Sequence, residues 1–296
     1  MKSHLPSGVV GLLCLLLSVS YSSPVHAGLA ERLEKQAAED AEAAKYESPV
    51  TTPSPIADHF ALRASLFNGS IHTRGQVNDT AAGVAGTPFS AESDFGLPGR
   101  SRQGRVEFLF RLHNRGRLRV GALDLSREGV AVMTQQKRYG NQTFLVNDSV
   151  NSKFDWRGFD LTWLFSFIRN DRFELGTGVG MHFIQAEAVA EVPKRALRES
   201  FDGSGPFATL ALDSTWRITR RFSLNARAQT FEITASAISA KLFDWHADLQ
   251  YRLHSNLALG AGYQSNYVQL DIADRNPGGS LRFDVAGPEL FLRASF

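Results

Sequence analysis

From about residue 57 to the C-terminus, apolar and polar side chains alternate with a period of two, in runs of about ten residues. In the stretch 172–183, Phe173, Leu175, Val179, Met181 and Phe183 share one face, while Glu174, Gly176, Gly178, Gly180 and His182 share the other. Val106, Phe108, Phe110 and Leu112 oppose Glu107 and Arg111, and Phe159, Leu161, Trp163, Phe165 and Phe167 oppose Asp160 and Thr162. Leu210, Leu212 and Trp216 oppose Asp213 and Arg217 in the same way. Near residue 248, Phe243, Trp245, Leu249, Tyr251 and Leu253 oppose Asp244, His246, Asp248, Gln250 and Arg252. A period of two is that of a β-strand, whose successive side chains point to opposite faces.

Short turns at 114–116, 169–171, 219–220 and 254–256 alternate with longer connections around 74–104, 133–150, 191–204, 234–238 and 273–280. Four short and five long connections predict ten strands in an antiparallel meander, with eight and twelve as the neighbouring even alternatives. A soluble sandwich also alternates, so the pattern alone leaves a periplasmic or secreted β-sandwich open. Three features favour a transmembrane up-and-down barrel. The apolar rows have the length of a tilted membrane-spanning strand, aromatic residues lie on those rows, and short turns alternate with long loops. Closure also removes the unpaired edges that long strands would expose. Leu123 and Leu125, Phe231 and Ile233, and Val268, Leu270 and Ile272 break the parity of the rows that lead into them, all on the long-loop side. Bulges, or strands that continue above the membrane, would each produce such breaks.

The N-terminal end reads differently. Lys2, the apolar run Val9–Leu17 and Val25-His26-Ala27 predict a signal peptide over 1–27, hence export through the periplasm. Cys14, the chain's single cysteine, stands inside that run, so the exported chain has no thiol for catalysis, disulfides or zinc. Residues 28–46 carry Leu29, Leu33, Ala37, Ala41 and Ala44 at helical spacing, and TTPSP at 51–55 breaks the pattern. The segment 28–56 is therefore expected to be a periplasmic helix and proline-containing linker, followed by the barrel over 57–296. Charges nearly cancel, 32 Lys plus Arg against 30 Asp plus Glu, which removes the electrostatic footprint of a nucleic-acid binder.

The chain stops on PELFLRASF, with Leu290, Leu292, Ala294 and Phe296 on one face. This end resembles the C-terminal signature of bacterial outer-membrane β-barrels. The segments ELGTGVGMHF, NLALGAGYQ and GPELFLRASF resemble uncharacterised proteobacterial outer-membrane β-barrel proteins. The resemblance implies a bacterial outer-membrane location and an assembly signal at Leu290, Leu292 and Phe296 that the barrel-assembly machinery reads. Outer-membrane lipid is then the other partner. It implies no activity.

If the apolar rows face lipid, the polar rows fill a lumen. The expected lumen network is Glu107, Arg111, Asp160, Asp213, Arg227, Asp244, His246, Asp248, Arg252 and Gln264. Gly176, Gly178, Gly180, Gly260 and Gly262 make room for polar neighbours. Simple hairpin registers place Asp248 opposite Gly262, Gln250 opposite Gly260, and His246 opposite Gln264. They also place Asp160 opposite Gly180 and Thr162 opposite Gly178. GTGVG lies mid-strand, lacks the Lys-Ser/Thr ending of a phosphate loop and opens no helix, so it reads as packing. Mixed signs at every level suggest a salt-bridged, mostly closed interior rather than a selective pore. The expected function is accordingly non-catalytic: a structural or surface-interaction barrel, or a narrow gated channel, with no cofactor and no metal.

Two alternatives stay open. With a rise of ~3.3 Å per residue and a tilt near ~40°, Asp160, His182, Asp244 and His246 fall near the outer rim, where carboxylates paired with histidine could serve an outer-membrane hydrolase. Omptin proteases offer a fold-level parallel, being ten-stranded barrels with acidic and histidine residues near that rim. The other alternative is lateral passage of hydrophobic molecules, with Pro288 disturbing the closing seam.

Overall fold

The computed structural model describes residues 50, 52–79, 83–273 and 278–296. The expected signal peptide and the helix of 29–46 lie outside the described residues. Ten long strands follow: β1 (Phe60–Asn78), β2 (Arg100–Leu112), β3 (Gly116–Val132), β4 (Ser149–Arg169) and β5 (Phe173–Val192). The remainder are β6 (Leu197–Arg217), β7 (Phe222–Ala235), β8 (Ile238–His254), β9 (Leu257–Ile272) and β10 (Gly278–Ser295). Each pairs antiparallel with its sequence neighbour, and β10 pairs with β1, so the sheet closes into a barrel.

The apolar rows face outward. Val106, Phe108, Phe110, Leu161, Trp163, Leu212, Trp216, Leu249, Leu259 and Leu292 are all exposed large hydrophobics. Such a belt is intolerable in water and is the surface that lipid covers. Behind it the inward row is polar and buried, as the alternation predicts.

Above the belt the two faces exchange chemistry. Leu123, Leu125, Phe154, Trp156, Ile184, Phe231, Leu242, Val268 and Phe283 point inward and join one apolar cluster. Outside, Asp124 faces Arg157 at 3.6 Å, Lys153 faces Asp155 at 3.3 Å and Lys241 faces Glu232 at 3.3 Å. Pairing runs without a shift through all three parity breaks of the sequence. No bulge causes them. The strands continue beyond the membrane, where water lies outside and the interior becomes a hydrophobic core, so the apolar row changes face while the backbone does not.

The bulges lie at the short-turn end instead, between Ser166 and Ile168 and between Arg252 and His254. The first puts Phe167 and Ile168 both on the exposed surface, 45% and 42% accessible, and brings Arg169 round toward Glu174.

Both ends of the barrel are covered. At the long-loop end, α1 (Ala91–Phe95) is capped by Ser90 and ends at Gly96, which is left-handed at φ 68°. With the hairpin of Lys137–Tyr139 and Gln142–Phe144 it builds a second apolar cluster from Phe95, Tyr139, Phe144, Val150 and Val192. At the short-turn end, residues 54–58, expected to belong to a linker or to the very start of the barrel, fold across the mouth. Ile56 is fully buried, and its carbonyl accepts from Arg169 at 3.1 Å. Asp58 is held by Arg252 at 2.8 Å and Arg293 at 3.2 Å.

Candidate functional site

The polar section of the lumen is the richest concentration of chemistry among the described residues. Nearest the short-turn end, Arg111 forms a two-pronged pair with Glu174 at 2.8 and 2.9 Å, and Ser166 donates to the same carboxylate at 2.6 Å. Next, Asp213 is gripped by Arg117 at 2.8 Å and by Arg119. Glu107 accepts Arg227 at 2.7 Å and lies 3.2 Å from Arg105, which reaches Asp160 at 3.0 Å. These residues come from alternating positions on β2 to β7, so strand closure, not sequence proximity, brings the charges together. Charged groups this deep persist only when paired, since removing one partner strands the other in a dry interior.

Arg63, on β1 beside Glu107 and 3.6 Å from it, is the next hub. It donates to Asp248 at 2.7 Å, contacts His246 at 3.0 Å and pairs with Glu289, and its guanidinium lies 3.6 Å from the centre of the Phe291 ring. Asp248 also accepts Asn225 at 2.7 Å, and His246 pairs with Glu289. One ligand atom from each of His246, Asp248 and Glu289 lies within 4.8 Å of the others, a set that could otherwise hold a cation. The Arg63 guanidinium contacts all three and supplies the positive charge at that point.

Of the four residues considered for hydrolysis, three come together and His246 stands apart. Asp160, His182 and Asp244 line one void together with Gln264 and Asn266, whereas His246 lines another with Asp213 and Asp248. His182 bonds Gln229 at 2.7 Å, Asp160 bonds Arg105, and Asp244 accepts Asn266 at 3.2 Å. They lie near the upper edge of the outward apolar belt, and on the inward row Trp156, Ile184 and Leu242 continue above Asp160, His182 and Asp244 respectively.

The register opposes Asp248 to Gly262, Gln250 to Gly260 and His246 to Gln264. On the other hairpin the turn is wider than expected, pairing Arg169 with Glu174, and the one-residue bulge takes back only part of that shift, so Asp160 faces His182 and Thr162 faces Gly180; Gly176 and Gly178 face Ser166 and Leu164. A Cβ at Gly262 would come 2.8 Å from Asp248 and 3.1 Å from the Glu289 carboxylate. One at Gly180 would come 2.6 Å from the Thr209 hydroxyl.

The sequence reading missed Arg63, Arg105, Arg117, Arg119 and Glu289. All lie on the inward parity of their strands, so strict extension of the rows would have found them. Asp58 has no such signal, because it precedes β1.

No protein-family model matches the chain, and no curated protein matches it in sequence. Among solved structures, the outer-membrane protease OmpT of Escherichia coli matches with a TM-score of 0.54 at 12% identity, over 80% of this chain and 97% of that one. The transport unit of the autotransporter AIDA-I of Escherichia coli matches with a TM-score of 0.40 at 10% identity, over 80% and 90%. Neisserial surface protein A matches at 0.31 and 12%, over 80% and 97%. At 12% identity the likeness to the first of these is one of fold, and the fold is that of a bacterial outer-membrane β-barrel.

Proposed function

We propose that the chain is a non-catalytic outer-membrane protein with a sealed lumen, serving a structural or surface-interaction role. The observation that carries this reading is the stack of arginine–carboxylate pairs across the barrel, closed beneath by Ile56 and Asp58. An open pore needs a continuous aqueous path, and here opposite charges from facing walls meet in hydrogen-bond contact. The catalytic alternative needs a carboxylate or imidazole free to activate water. His182 and His246 instead have polar partners, Asp244 accepts an amide, and Asp160 gives one oxygen to Arg105 while its other oxygen has no hydrogen-bond partner. The short-turn end then faces the periplasm. Leu290, Leu292 and Phe296 form the strand end presented to the assembly machinery, where Phe296 closes on Phe60 through backbone bonds of 2.9 Å.

A gated channel is the second reading, favoured by one feature: the lower seal is a chain segment, not a barrel strand. The test is conductance in a planar bilayer. The sealed reading expects no current steps from the wild type and none from Asp58→Ala. Steps that appear only in Asp58→Ala would support the gated channel, and a steadily open wild type would reject both. Hydrolysis of peptide or lipid by the folded protein, with or without zinc, that His246→Ala abolishes would promote the enzyme instead.

A further inference from the structure

The barrel wall is not complete along its height. β6 and β7 pair from Ser223–Arg217 up to Thr230–Leu210 and no further. Beyond that point, among the described residues, the backbone of Leu197–Thr209 pairs only with β5 and that of Phe231–Ala235 only with β8, and the Thr209 hydroxyl still reaches Gln229 on β7 at 2.9 Å. A similar divergence between β2 and β3 beyond Gly104 is filled. There the 91–99 segment packs against β3: Arg127 bonds Glu92 at 2.8 Å and the Pro98 carbonyl at 3.3 Å, and Gly96 packs against Gly129. Among the described residues no segment joins β6 to β7 across the split, although Asn141 of the upper hairpin donates to Glu199 on β6 at 3.4 Å. The free stretch of β6 holds Gly203, Gly205 and Pro206, residues suited to an edge that makes no ladder.

The split has a definite position and a definite stopper. Exposed Phe183 lies opposite Pro206 on one flank, and exposed Phe243 lies opposite Thr230 on the other, so it opens beside the outward aromatic belt. At its base Phe207 and Phe231 meet edge to face, with centroids 5.7 Å apart. Both pack on the apolar cluster inside the barrel, where Trp156 stacks on Phe283 at 4.4 Å. Above that cluster a cavity with about 820 Å³ of empty space, part of it open to solvent, is lined by Phe154, Ala186, Ala188, Leu270 and Leu281 among others. The charged section closes it from below.

We propose that this upper chamber binds an uncharged hydrocarbon group that enters sideways from the bilayer between β6 and β7, with Phe207 and Phe231 as the gate. A chamber whose lining is mostly apolar, with Lys153 its one charged residue, and whose side opening starts at the border of the lipid belt, selects for hydrophobicity. The group is either a lipid acyl chain or a free apolar molecule dissolved in the membrane. The two sources share the chemistry and are separated by the test.

The experiment uses full-length protein in lipid vesicles, with Trp156 as the sole tryptophan after Trp163→Phe, Trp216→Phe and Trp245→Phe. Heat-dependent gel mobility checks that the variant has folded. Ala208→Cys and Glu232→Cys continue the β6–β7 register by two residues, so closing the split brings their thiols together, and loss of free thiols on oxidation checks that the staple has formed. One arm adds phospholipid with brominated acyl chains, and the other adds dibromobenzene. Loss of Trp156 emission that oxidation of the staple prevents and reductant restores is expected. Loss in the first arm assigns an acyl chain, and loss in the second alone assigns a free hydrophobe. No loss in either arm, or loss indifferent to the staple, overturns the proposal. If the sole-tryptophan variant does not fold, a fluorophore on Ala186→Cys in the otherwise wild-type chain reads the same quenching. Conductance is measured separately, so failure here leaves the sealed-lumen reading standing, and the reverse also holds.

Discussion

Arg63 is the residue on which the lumen wall depends most. It neutralises Asp248 and Glu289 at once, so Arg63→Ala would leave two carboxylates without their cation in a closed interior. Loss of one partner of a buried pair costs ~3–5 kcal/mol, which is the expected drop in unfolding free energy, read by urea titration of mobility on a gel. As a control, Arg198→Ala breaks an ion pair with Glu191 on the solvated outer surface, where changes of about ±0.5 kcal/mol are typical. Equal effects from the two variants would refute the paired-lumen account. Gly262 provides a second case. A leucine there would drive into Asp248 and Glu289, and overpacking of that kind costs roughly 1–3 kcal/mol, measurable by the same titration.

Among the elements, the connection between β3 and β4 carries its own pH dependence. The backbone N–H of Leu145, at 2.7 Å, holds the Asp148 carboxyl below its ordinary value of 3.8, and the Arg195 guanidinium at 2.6 Å adds to the effect. A depressed carboxylate stabilises fully above its unfolded value and loses that contribution as pH falls through the folded one. The Leu145 amide should therefore be protected from hydrogen exchange at neutral pH. It should lose that protection, relative to β4 amides, only in strong acid. Arg195→Ala should move the loss upward in pH; an unchanged profile would remove the assigned cause. At the other end of the barrel, residues 54–58 show how little an element's composition says about its place. A Ser/Pro-rich stretch reads as a linker, yet four arginines on barrel strands reach its carbonyl and carboxylate groups.

As a whole molecule, a closed sheet of ten strands should stay folded in mild detergent and migrate differently before and after boiling. Identical mobility would contradict closure. Deleting Phe296 removes the backbone bonds to Phe60 and should impair membrane assembly without stopping export. The sequence by itself determined the strands, the outward row and the polar inward row. Those are local consequences of a two-residue period between lipid and a polar interior. Even the parity breaks at Leu123, Phe231 and Val268 were visible as breaks. Only the tertiary structure decided that they mark the crossing from lipid to water. That meaning depends on what surrounds each face, not on the strand. It alone brought Arg63 to Asp248 across 185 residues, set Asp160 opposite His182 through a wider turn and a bulge, and parted β6 from β7 above Thr230. Strand closure and register are properties of all the neighbours together, so no single strand's pattern encodes which charges meet inside or where the wall is left unpaired.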